Sequence, residues 1–398
     1  MTPEEKAYKE ALRRIRKEET GAVELDLSGL GLNRLPRELT CLTSLQSLNI
    51  SWCRELSRDL SPLAGLTSLR SLNIAGCGQL SGDLSPLAGL TSLQSLNLAG
   101  CMRLSGSLSP LAGLTSLQSL DVSACRQLSG DLSPLASLTS LRSVNISWCW
   151  ELSVRLSQLS NLTSLQSLAL VNCVRLRGDL SPLAGLTSLQ SLDLSECPQL
   201  SGNLSPLARL TSLKKLDLSE CRRLRGDLSP LAALTSLREL CLDHCLGFSR
   251  FAPLESLPTL KELRLFGCKL DDLPPEVCGE KSGENVLGKV RAHYKDLKCG
   301  QRIDAEVKAL FLGNGGVGKT QLCRLLGDLP FDPNIPTTHG VQLGQTTVEL
   351  DGFPEPVRLN LWDFGGQDIY HGSHALFLQG QAIFLILWTR GTGTEHKL

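Results

Sequence analysis

A repeat of 24 residues is the feature that most constrains what this chain can fold into. Cysteine recurs at this interval from Cys53 to Cys245, and Cys268 follows 23 residues later. Ahead of each cysteine stands an alternating pair such as Leu96 and Leu98, which predicts a short strand with both side chains facing inward. A fixed period of this length indicates a solenoid, in which every repeat buries its apolar side against its neighbours.

The repeats predict one long inner sheet. A Ser-Pro pair opens most units, as at Ser85 and Pro86, and indicates a tight return turn, whereas Gln158 replaces the proline in one unit. We expect one strand from each of about eleven units, and at about 4.8 Å per strand the sheet would be about 50 Å long. The expected strand centres are Asp26, Asn49, Asn73, Asn97, Asp121, Asn145, Ala169, Asp193, Asp217, Cys241 and Arg264.

The spacing of the 15 cysteines argues against disulfides. A cysteine that returns at a fixed period occupies one structural position in every repeat. The sequence contains no Cys-x-x-Cys pair, so a zinc site is not expected. We expect small, buried and reduced thiols, which are typical of a cytoplasmic protein.

Composition and charge narrow the classes of partner. Lys+Arg and Asp+Glu both number 40, so the net charge is zero and favours neither nucleic acid nor an anionic membrane. No apolar run reaches the roughly 18 residues of a membrane span. Residues 1–20 lack the apolar core of a signal peptide and are predicted to form a helix that caps the first repeat. The apolar stripe of this helix would consist of Ala7, Ala11, Leu12 and Ile15.

A phosphate-binding loop follows the repeats. Residues 313–320 spell Gly-Asn-Gly-Gly-Val-Gly-Lys-Thr, the P-loop pattern, between an apolar stretch at 307–312 and a helix-like segment at 320–326. The glycines let backbone N–H groups approach phosphate oxygens, Lys319 reaches the β- and γ-phosphates, and the Thr320 hydroxyl binds Mg²⁺. The predicted nucleotide contacts of this segment are Gly313, Asn314, Gly315, Gly316, Val317, Gly318, Lys319, Thr320 and Gln321.

A second motif complements the P-loop. Asp363, Gly366 and Gln367 form Asp-x-x-Gly-Gln at the end of a predicted strand. Asp363 would hold Mg²⁺ through water, the Gly366 N–H would sense the γ-phosphate, and Gln367 would orient the attacking water. The two motifs together predict nucleotide hydrolysis, with Gln367 and Lys319 as the catalytic residues.

These motifs resemble known families. The repeats resemble leucine-rich repeats, with cysteine in a slot that asparagine often fills, and the order of the nucleotide motifs resembles a Ras-like GTPase. The stretch from Asp363 to Leu378, preceded by such repeats, resembles the Roco family in particular. The resemblance implies GTP or GDP as ligand and Mg²⁺ as metal, with Thr320, Asp363 and a switch threonine as metal ligands. Thr338 best matches that threonine, and Thr337 is the alternative.

The predicted fold class is α/β, a leucine-rich-repeat solenoid followed by an incomplete P-loop, Ras-like domain. We expect a capping helix at 1–20, repeats at 21–275, a linker with a helix at 276–304 and part of a Roc GTPase domain at 305–398. His371 and His374 fall in the family's second switch, where packing is expected rather than metal binding. The guanine motif and the COR region of the family are absent from the sequence. We therefore expect a chain truncated inside Roc, with an apolar edge at the strand Ile383–Trp388.

The inner sheet presents two features of a possible partner surface. Trp52, Trp148 and Trp150 follow their strands, and aromatic anchors surrounded by charge are typical of interfaces. Alternatively, the tryptophans fill gaps at the rim and the charges keep the array soluble. The charges that replace serine in the late repeats are Lys214, Lys215, Glu220, Glu239, Asp243 and Glu262.

Three functions fit the sequence. The first is a Roco-type GTP switch coupled to a repeat module that binds an unknown protein. The second is a repeat interaction protein with an inert partial nucleotide domain, because no guanine motif is present. The third is a repeat-coupled ATPase of the immune-receptor type, which the order of domains and the Asp-x-x-Gly-Gln motif disfavour.

Overall fold

The computed structural model describes residues 2–18, 23–57, 60–251, 254, 257–298, 306–349, 356–365 and 382–387. The chain divides into two compact units, Met1–Leu297 and Lys298–Leu398. The first holds the repeats and the second holds the P-loop.

The repeats form the predicted inner sheet of eleven parallel strands. Neighbouring strands pair in register, so that Leu72 stands beside Leu96. The eleven strands are Glu24–Asp26, Ser47–Asn49, Ser71–Asn73, Ser95–Asn97, Ser119–Asp121, Ser143–Asn145, Ser167–Ala169, Ser191–Asp193, Lys215–Asp217, Glu239–Cys241 and Glu262–Arg264.

The predicted strand centres were one residue too late, because each of them is the last residue of its strand. The side chain at that position explains why the strand stops. The Oδ1 atom of Asn73 accepts a hydrogen bond from the Ala75 N–H at 3.1 Å, and Asn97 does the same for Ala99 at 3.0 Å. A side chain that binds its own backbone two residues on turns the chain out of the strand.

The core is a stack of buried leucines that runs through all repeats. Burial of one such side chain contributes about 1.5–3 kcal/mol relative to exposure. Short 3₁₀ helices return the chain, and most of them begin at the predicted Ser-Pro pair, where proline needs no hydrogen-bond partner. These helices are Arg37–Cys41, Ser61–Leu63, Ser85–Leu87, Ser109–Leu111, Ser133–Leu135, Leu156–Leu159, Ser181–Gly185, Ser205–Arg209 and Ser229–Ala233.

Two further parallel sheets, which the sequence analysis did not predict, join neighbouring repeats away from the inner sheet. Apart from the buried Leu104, Leu128 and Leu224 their residues are polar or glycine, and the strands are too short to show an alternating pattern. One sheet has three strands and the other has two. The strands are Ser81–Gly82, Arg103–Gly106, Gln127–Leu128, Ser201–Gly202 and Arg223–Leu224.

The periodic cysteines form a ladder of buried thiols, and none of the fourteen cysteines that the structure describes is in a disulfide. Each thiol donates to a carbonyl oxygen of the preceding repeat. The Sγ atom of Cys101 lies 3.3 Å from the Ile74 oxygen, and that of Cys125 lies 3.1 Å from the Leu98 oxygen. At the position where the chain leaves the strand, the cysteine thiol therefore provides a hydrogen-bond donor for a buried backbone carbonyl oxygen.

A helix covers each end of the repeat array. The helix Pro3–Glu18 buries Ala7, Ala11 and Ile15 on the first repeat, whereas Leu12 is only half-buried. The Arg14 side chain donates to the Asp26 carbonyl oxygen at 2.8 Å. A helix of this kind shields the first open face of the apolar core from water.

The helix Leu287–Lys298 lies within residues 276–304, which were predicted as a linker with a helix. Its residues Val290 and Tyr294 are buried in the core of the repeat unit. The Tyr294 hydroxyl donates to Asp272 at 2.9 Å, and the Val286 N–H donates to the Leu263 carbonyl at 2.8 Å. The repeat unit thus extends as far as Leu297 and includes this helix.

The second unit contains a four-stranded sheet and one helix. The order of its strands is Val341–Val348, Val357–Phe364, Glu306–Leu312 and Ala382–Ile386. The first pair is antiparallel and the others are parallel. We call Glu306–Leu312 the P-loop strand, Lys319–Leu326 the P-loop helix and Ala382–Ile386 the edge strand. In the edge strand about half of the surface of Ile383, Phe384 and Ile386 is exposed.

Candidate nucleotide-binding site

The P-loop joins the P-loop strand to the P-loop helix, as the sequence predicted. Gly313, Gly316 and Gly318 have φ angles of 140°, 77° and 90°, which glycine adopts readily. A Cβ at Gly313 would come within 2.2 Å of the Leu387 carbonyl oxygen. No side chain caps the N-terminus of the helix. Its first N–H groups are therefore left for an anionic ligand.

Lys319 lies across the P-loop. Its Nζ atom donates to the carbonyl oxygens of Gly313 at 2.7 Å and Asn314 at 2.9 Å. The side chain is buried, and this burial lowers the pKa of Lys319, while the nearby Asp363 carboxylate opposes the shift. The ammonium group is thus fixed where it can reach an anion bound by the loop.

Three predicted metal ligands meet beside the loop. Thr320 begins the P-loop helix, Thr338 comes from the loop before the strand Val341–Val348, and Asp363 lies near the end of the strand Val357–Phe364. The two hydroxyl oxygens are 2.7 Å apart, and both lie close to the Asp363 Oδ2 atom, at 2.6 Å from Thr320 and 3.0 Å from Thr338. The sheet therefore brings three separate segments to one point.

The donor set fits a small hard cation. Asp363 is almost fully buried, and its Oδ1 atom has no hydrogen-bond partner among the described residues. A buried carboxylate oxygen without a partner is costly unless a ligand satisfies it. One carboxylate with two hydroxyl groups is an all-oxygen set of the kind that binds Mg²⁺ together with phosphate and water.

The two candidate threonines differ in their surroundings, and the surroundings of the Gln321 side chain differ from those of the loop. Thr338 is buried at Asp363, whereas Thr337 is exposed. The Gln321 side chain forms hydrogen bonds to the backbone of Asp332. Sequence patterns do not predict these hydrogen bonds, because they join a helix to an irregular segment. Asn314, Gly315 and Val317 complete the loop.

Several predicted residues lie outside the described ranges. They are Gly366, Gln367, His371 and His374. Among the described residues, no group of three His, Cys, Asp or Glu side chains could hold a metal ion. In the same ranges, no helix is long and apolar enough to cross a membrane.

Comparisons with known proteins match both units. The family model described as "Ras of Complex, Roc, domain of DAPkinase" matches residues 308–398, and a model of two leucine-rich repeats matches residues 91–137. The probable serine/threonine-protein kinase pats1 of Dictyostelium discoideum is 30% identical in an alignment of 162 positions that covers 35% of this chain and 5% of that protein. The GTP-binding protein ypt2 of Schizosaccharomyces pombe is 32% identical over 85 residues, 21% of this chain and 42% of ypt2.

A solved structure matches the repeat fold. The leucine-rich-repeat ectodomain of the Arabidopsis receptor kinase HAESA, in complex with a peptide hormone ligand, has a TM-score of 0.50 and 27% identity. The match covers 62% of this chain and 42% of the receptor chain. The present chain thus spans less than half of each protein that it resembles here.

The fold and the site define a leucine-rich-repeat protein that carries a Ras-like P-loop domain. Leucine-rich repeats ahead of a Roc match are the arrangement of the Roco type, which this chain resembles.

Proposed function

We propose that this chain is a GTP-binding switch whose state is communicated to a protein partner of the repeats. The observation that carries the proposal is the meeting of Thr320, Thr338 and Asp363 beside Lys319. A threonine from the loop before the strand Val341–Val348 that joins the metal ligands would give the protein a means to sense the γ-phosphate.

Phosphoryl transfer would depend on positioning and charge. The loop N–H groups and the Lys319 ammonium would bind the phosphates, and Thr320, Thr338 and Asp363 would hold Mg²⁺. The metal would neutralise charge that develops on the phosphate oxygens. Gln367 would orient the attacking water, and the Gly366 N–H would contact the γ-phosphate. These two roles rest on the Roco resemblance.

Guanine is the proposed base, with GTP and GDP as the two ligands. The support is the Roc match and the similarity to ypt2, which is named a GTP-binding protein. We also infer a cytoplasmic location, because twelve buried cysteines remain as free thiols. Neither nucleic acid nor a membrane is part of the proposal.

Fluorescent GDP binding to the whole chain, in competition with GTP and ATP, tests the nucleotide assignment. Lys319→Ala should weaken binding about 10- to 100-fold, the value of one or two charge-assisted hydrogen bonds. Lys308→Ala is the matched control, since Lys308 lies on the P-loop strand and faces Trp362 at 5.7 Å. Equal competition by ATP, or unchanged binding by the Lys319 variant, would contradict the proposal.

The repeats are the proposed interaction module. Exposed tryptophans on the array support this role, as does the fold-level likeness to a receptor ectodomain that was solved with a peptide. If the chain binds no nucleotide and the repeats still bind a partner, the chain is an interaction protein with an inert nucleotide domain.

A further inference from the structure

The P-loop helix is joined to the strand Val341–Val348 by residues 327–340, which we call the threonine loop because it contains Thr338. The loop forms no helix or strand, and three of its residues are prolines, which have no backbone N–H group. The backbone of residues 330–339 forms no hydrogen bond with the backbone of another described residue. The position of Thr338 therefore depends on side chains that hold the loop.

Gln321 holds the middle of the threonine loop. Its Nε2 atom donates to the Asp332 carbonyl oxygen, and its Oε1 atom accepts the Asp332 N–H at 3.4 Å. One side-chain amide thus pairs with both backbone groups of one residue. The Asp332 carboxylate in turn accepts the Asn334 N–H at 2.9 Å, which forms a turn directly after this contact. The chain is therefore fixed shortly before it reaches Thr338.

Arg324 holds the same loop at a second point. It lies one turn after Gln321 in the P-loop helix, so the two side chains share one side of the helix. The guanidinium donates to the Pro330 carbonyl oxygen at 3.1 Å, and the Leu329 N–H donates to the Arg324 carbonyl oxygen at 2.9 Å. The P-loop helix thus holds the threonine loop on either side of Phe331.

Thr338 is the third attachment of the threonine loop. Its hydroxyl oxygen lies 2.7 Å from that of Thr320 and 3.0 Å from the Asp363 carboxylate. Thr320 and Gln321 are consecutive residues at the beginning of the P-loop helix. The part of the helix that would bind phosphate and metal therefore also holds the loop that supplies Thr338.

Holding the loop in advance affects ligand binding, because ordering a loop costs conformational free energy. Attachments that form without a ligand reduce the ordering that the ligand itself has to drive. In the proposed function, Thr338 takes part when Mg²⁺ and the γ-phosphate are present, whereas GDP binds through the P-loop and Lys319. The attachment at Asp332 should therefore stabilise the complex with GTP more than the complex with GDP.

A role in stability alone predicts a different pattern. If the Gln321 hydrogen bonds only hold the second unit together, their loss lowers the affinities for GTP and GDP by the same factor. If they place Thr338 at the metal ligands, their loss lowers the affinity for GTP in particular. The ratio of the two affinities therefore distinguishes the two roles.

We propose that Gln321 is a positioning residue of the nucleotide site. Through its hydrogen bonds to Asp332 it keeps Thr338 at the metal ligands and gives the site a preference for the triphosphate. Its side chain acts through Thr338 and is therefore not catalytic. This inference rests on the proposed nucleotide switch. The hydrogen bonds themselves form in the ligand-free protein, so their effect on the threonine loop has a test of its own.

Affinities of the full chain for fluorescent GDP and for a fluorescent, non-hydrolysable GTP analogue, both with Mg²⁺, test the preference. Gln321→Met removes the amide but keeps the length and helix propensity of the side chain. It should bind the GTP analogue about tenfold more weakly, in line with the loss of two hydrogen bonds, and GDP within about twofold of wild type. Gln345→Met is the matched control, because Gln345 donates to Asn360 at 2.8 Å within the sheet, and it should change neither affinity. An equal loss for both nucleotides, or no loss for the GTP analogue, overturns the inference.

Chymotrypsin cleavage after Phe331, which is 75% exposed and lies between the two attachments, tests the loop without nucleotide. Because a protease needs a locally opened chain, Gln321→Met should be cut about fivefold faster than wild type, and Gln345→Met at the wild-type rate. An unchanged rate overturns the inference. A wild type that binds neither nucleotide overturns the proposed function and with it this preference. A wild type that binds both, with a Gln321 variant that matches it, overturns only the inference about Gln321.

Discussion

The Oδ2 atom of Asp363 lies 2.6 Å from the Thr320 hydroxyl, while the other oxygen of the same carboxylate is buried without a hydrogen-bond partner in the described ranges. This asymmetry is what a cation site requires, because one oxygen positions the carboxylate and the other stays available. In Asp363→Asn we expect the domain to fold, since the shape is kept and a buried charge is removed.

The same variant should lose the stabilisation by Mg²⁺. Wild-type protein at a ligand concentration of 100 Kd gains about 2.7 kcal/mol. Thermal unfolding with GDP, in the presence and absence of Mg²⁺, measures the difference. An equal shift of Tm by Mg²⁺ in both proteins would exclude Asp363 as a metal ligand.

Thr338→Val should lower the stability of the domain and its affinity for Mg²⁺ more than Thr337→Val does. The Thr338 hydroxyl is buried against Asp363 and Thr320, so valine leaves those groups with one fewer partner, at a cost of about 1–3 kcal/mol. Thr337 is exposed, and its replacement should change stability by no more than about 0.5 kcal/mol. Urea unfolding and Mg²⁺ titration with a GTP analogue measure both variants. Equal losses would mean that the assignment of the switch threonine is wrong.

Gly76→Ala should destabilise the repeats more than Gly100→Ala. Both glycines have a left-handed backbone, which costs about 1–2 kcal/mol for alanine. Only at Gly76 would the new Cβ also meet the Trp52 ring, at 2.7 Å, whereas the nearest atom at Gly100 is 3.7 Å away. The clash should add about 1–3 kcal/mol. Urea unfolding in the Trp52→Gly background provides the control, because there the two glycine variants should become equal.

Alkaline pH should lower the stability of the repeat unit, because the buried thiols of the ladder lose protons on unfolding. Burial raises the pKa of Cys77, Cys101 and Cys149 to about 12. The folded state keeps protons that the unfolded state releases above its ordinary pKa of about 8.5, so stability is full below that pH and falls as pH rises towards 12. Each such thiol contributes a slope of up to about 1.4 kcal/mol per pH unit.

Urea midpoints measured between pH 7.5 and 10.5 check this expectation. The variant Cys101→Ala should show a smaller decrease of stability with pH, because the contribution of one thiol is removed. Native labelling with a thiol reagent adds a second measurement. The exposed Cys41 should react in the folded protein, whereas Cys101 should react only on unfolding. Rapid labelling of Cys101 in the native state would contradict the burial that underlies the prediction.

The repeat architecture was predictable because its contacts recur. Every repeat places the same residue types at the same positions, so a leucine such as Leu96 meets its equivalents one period away. The P-loop was predictable for a related reason, since its function depends on a few residues that are contiguous in sequence. The cysteine spacing likewise indicated a structural slot, and the structure adds the carbonyl that each thiol binds.

Other features depended on contacts that no local pattern encodes. The helix Leu287–Lys298 was predicted as part of a linker, because amphipathic spacing does not say which surface covers its apolar side. In the structure Val290 and Tyr294 of this helix are buried in the core of the repeat unit. The late-repeat charges were equally ambiguous, and only the sheet register pairs Lys215 with Glu239.

The sequence by itself determined a solenoid, a P-loop domain and the residue types of a nucleotide site. Only the tertiary structure decided that Thr338 rather than Thr337 reaches Asp363, 25 residues further along the chain. The reason is geometric. The hydrophobic period fixes which residues are buried, but the pairing of separate strands fixes which polar groups meet, and a metal site exists only where such groups meet.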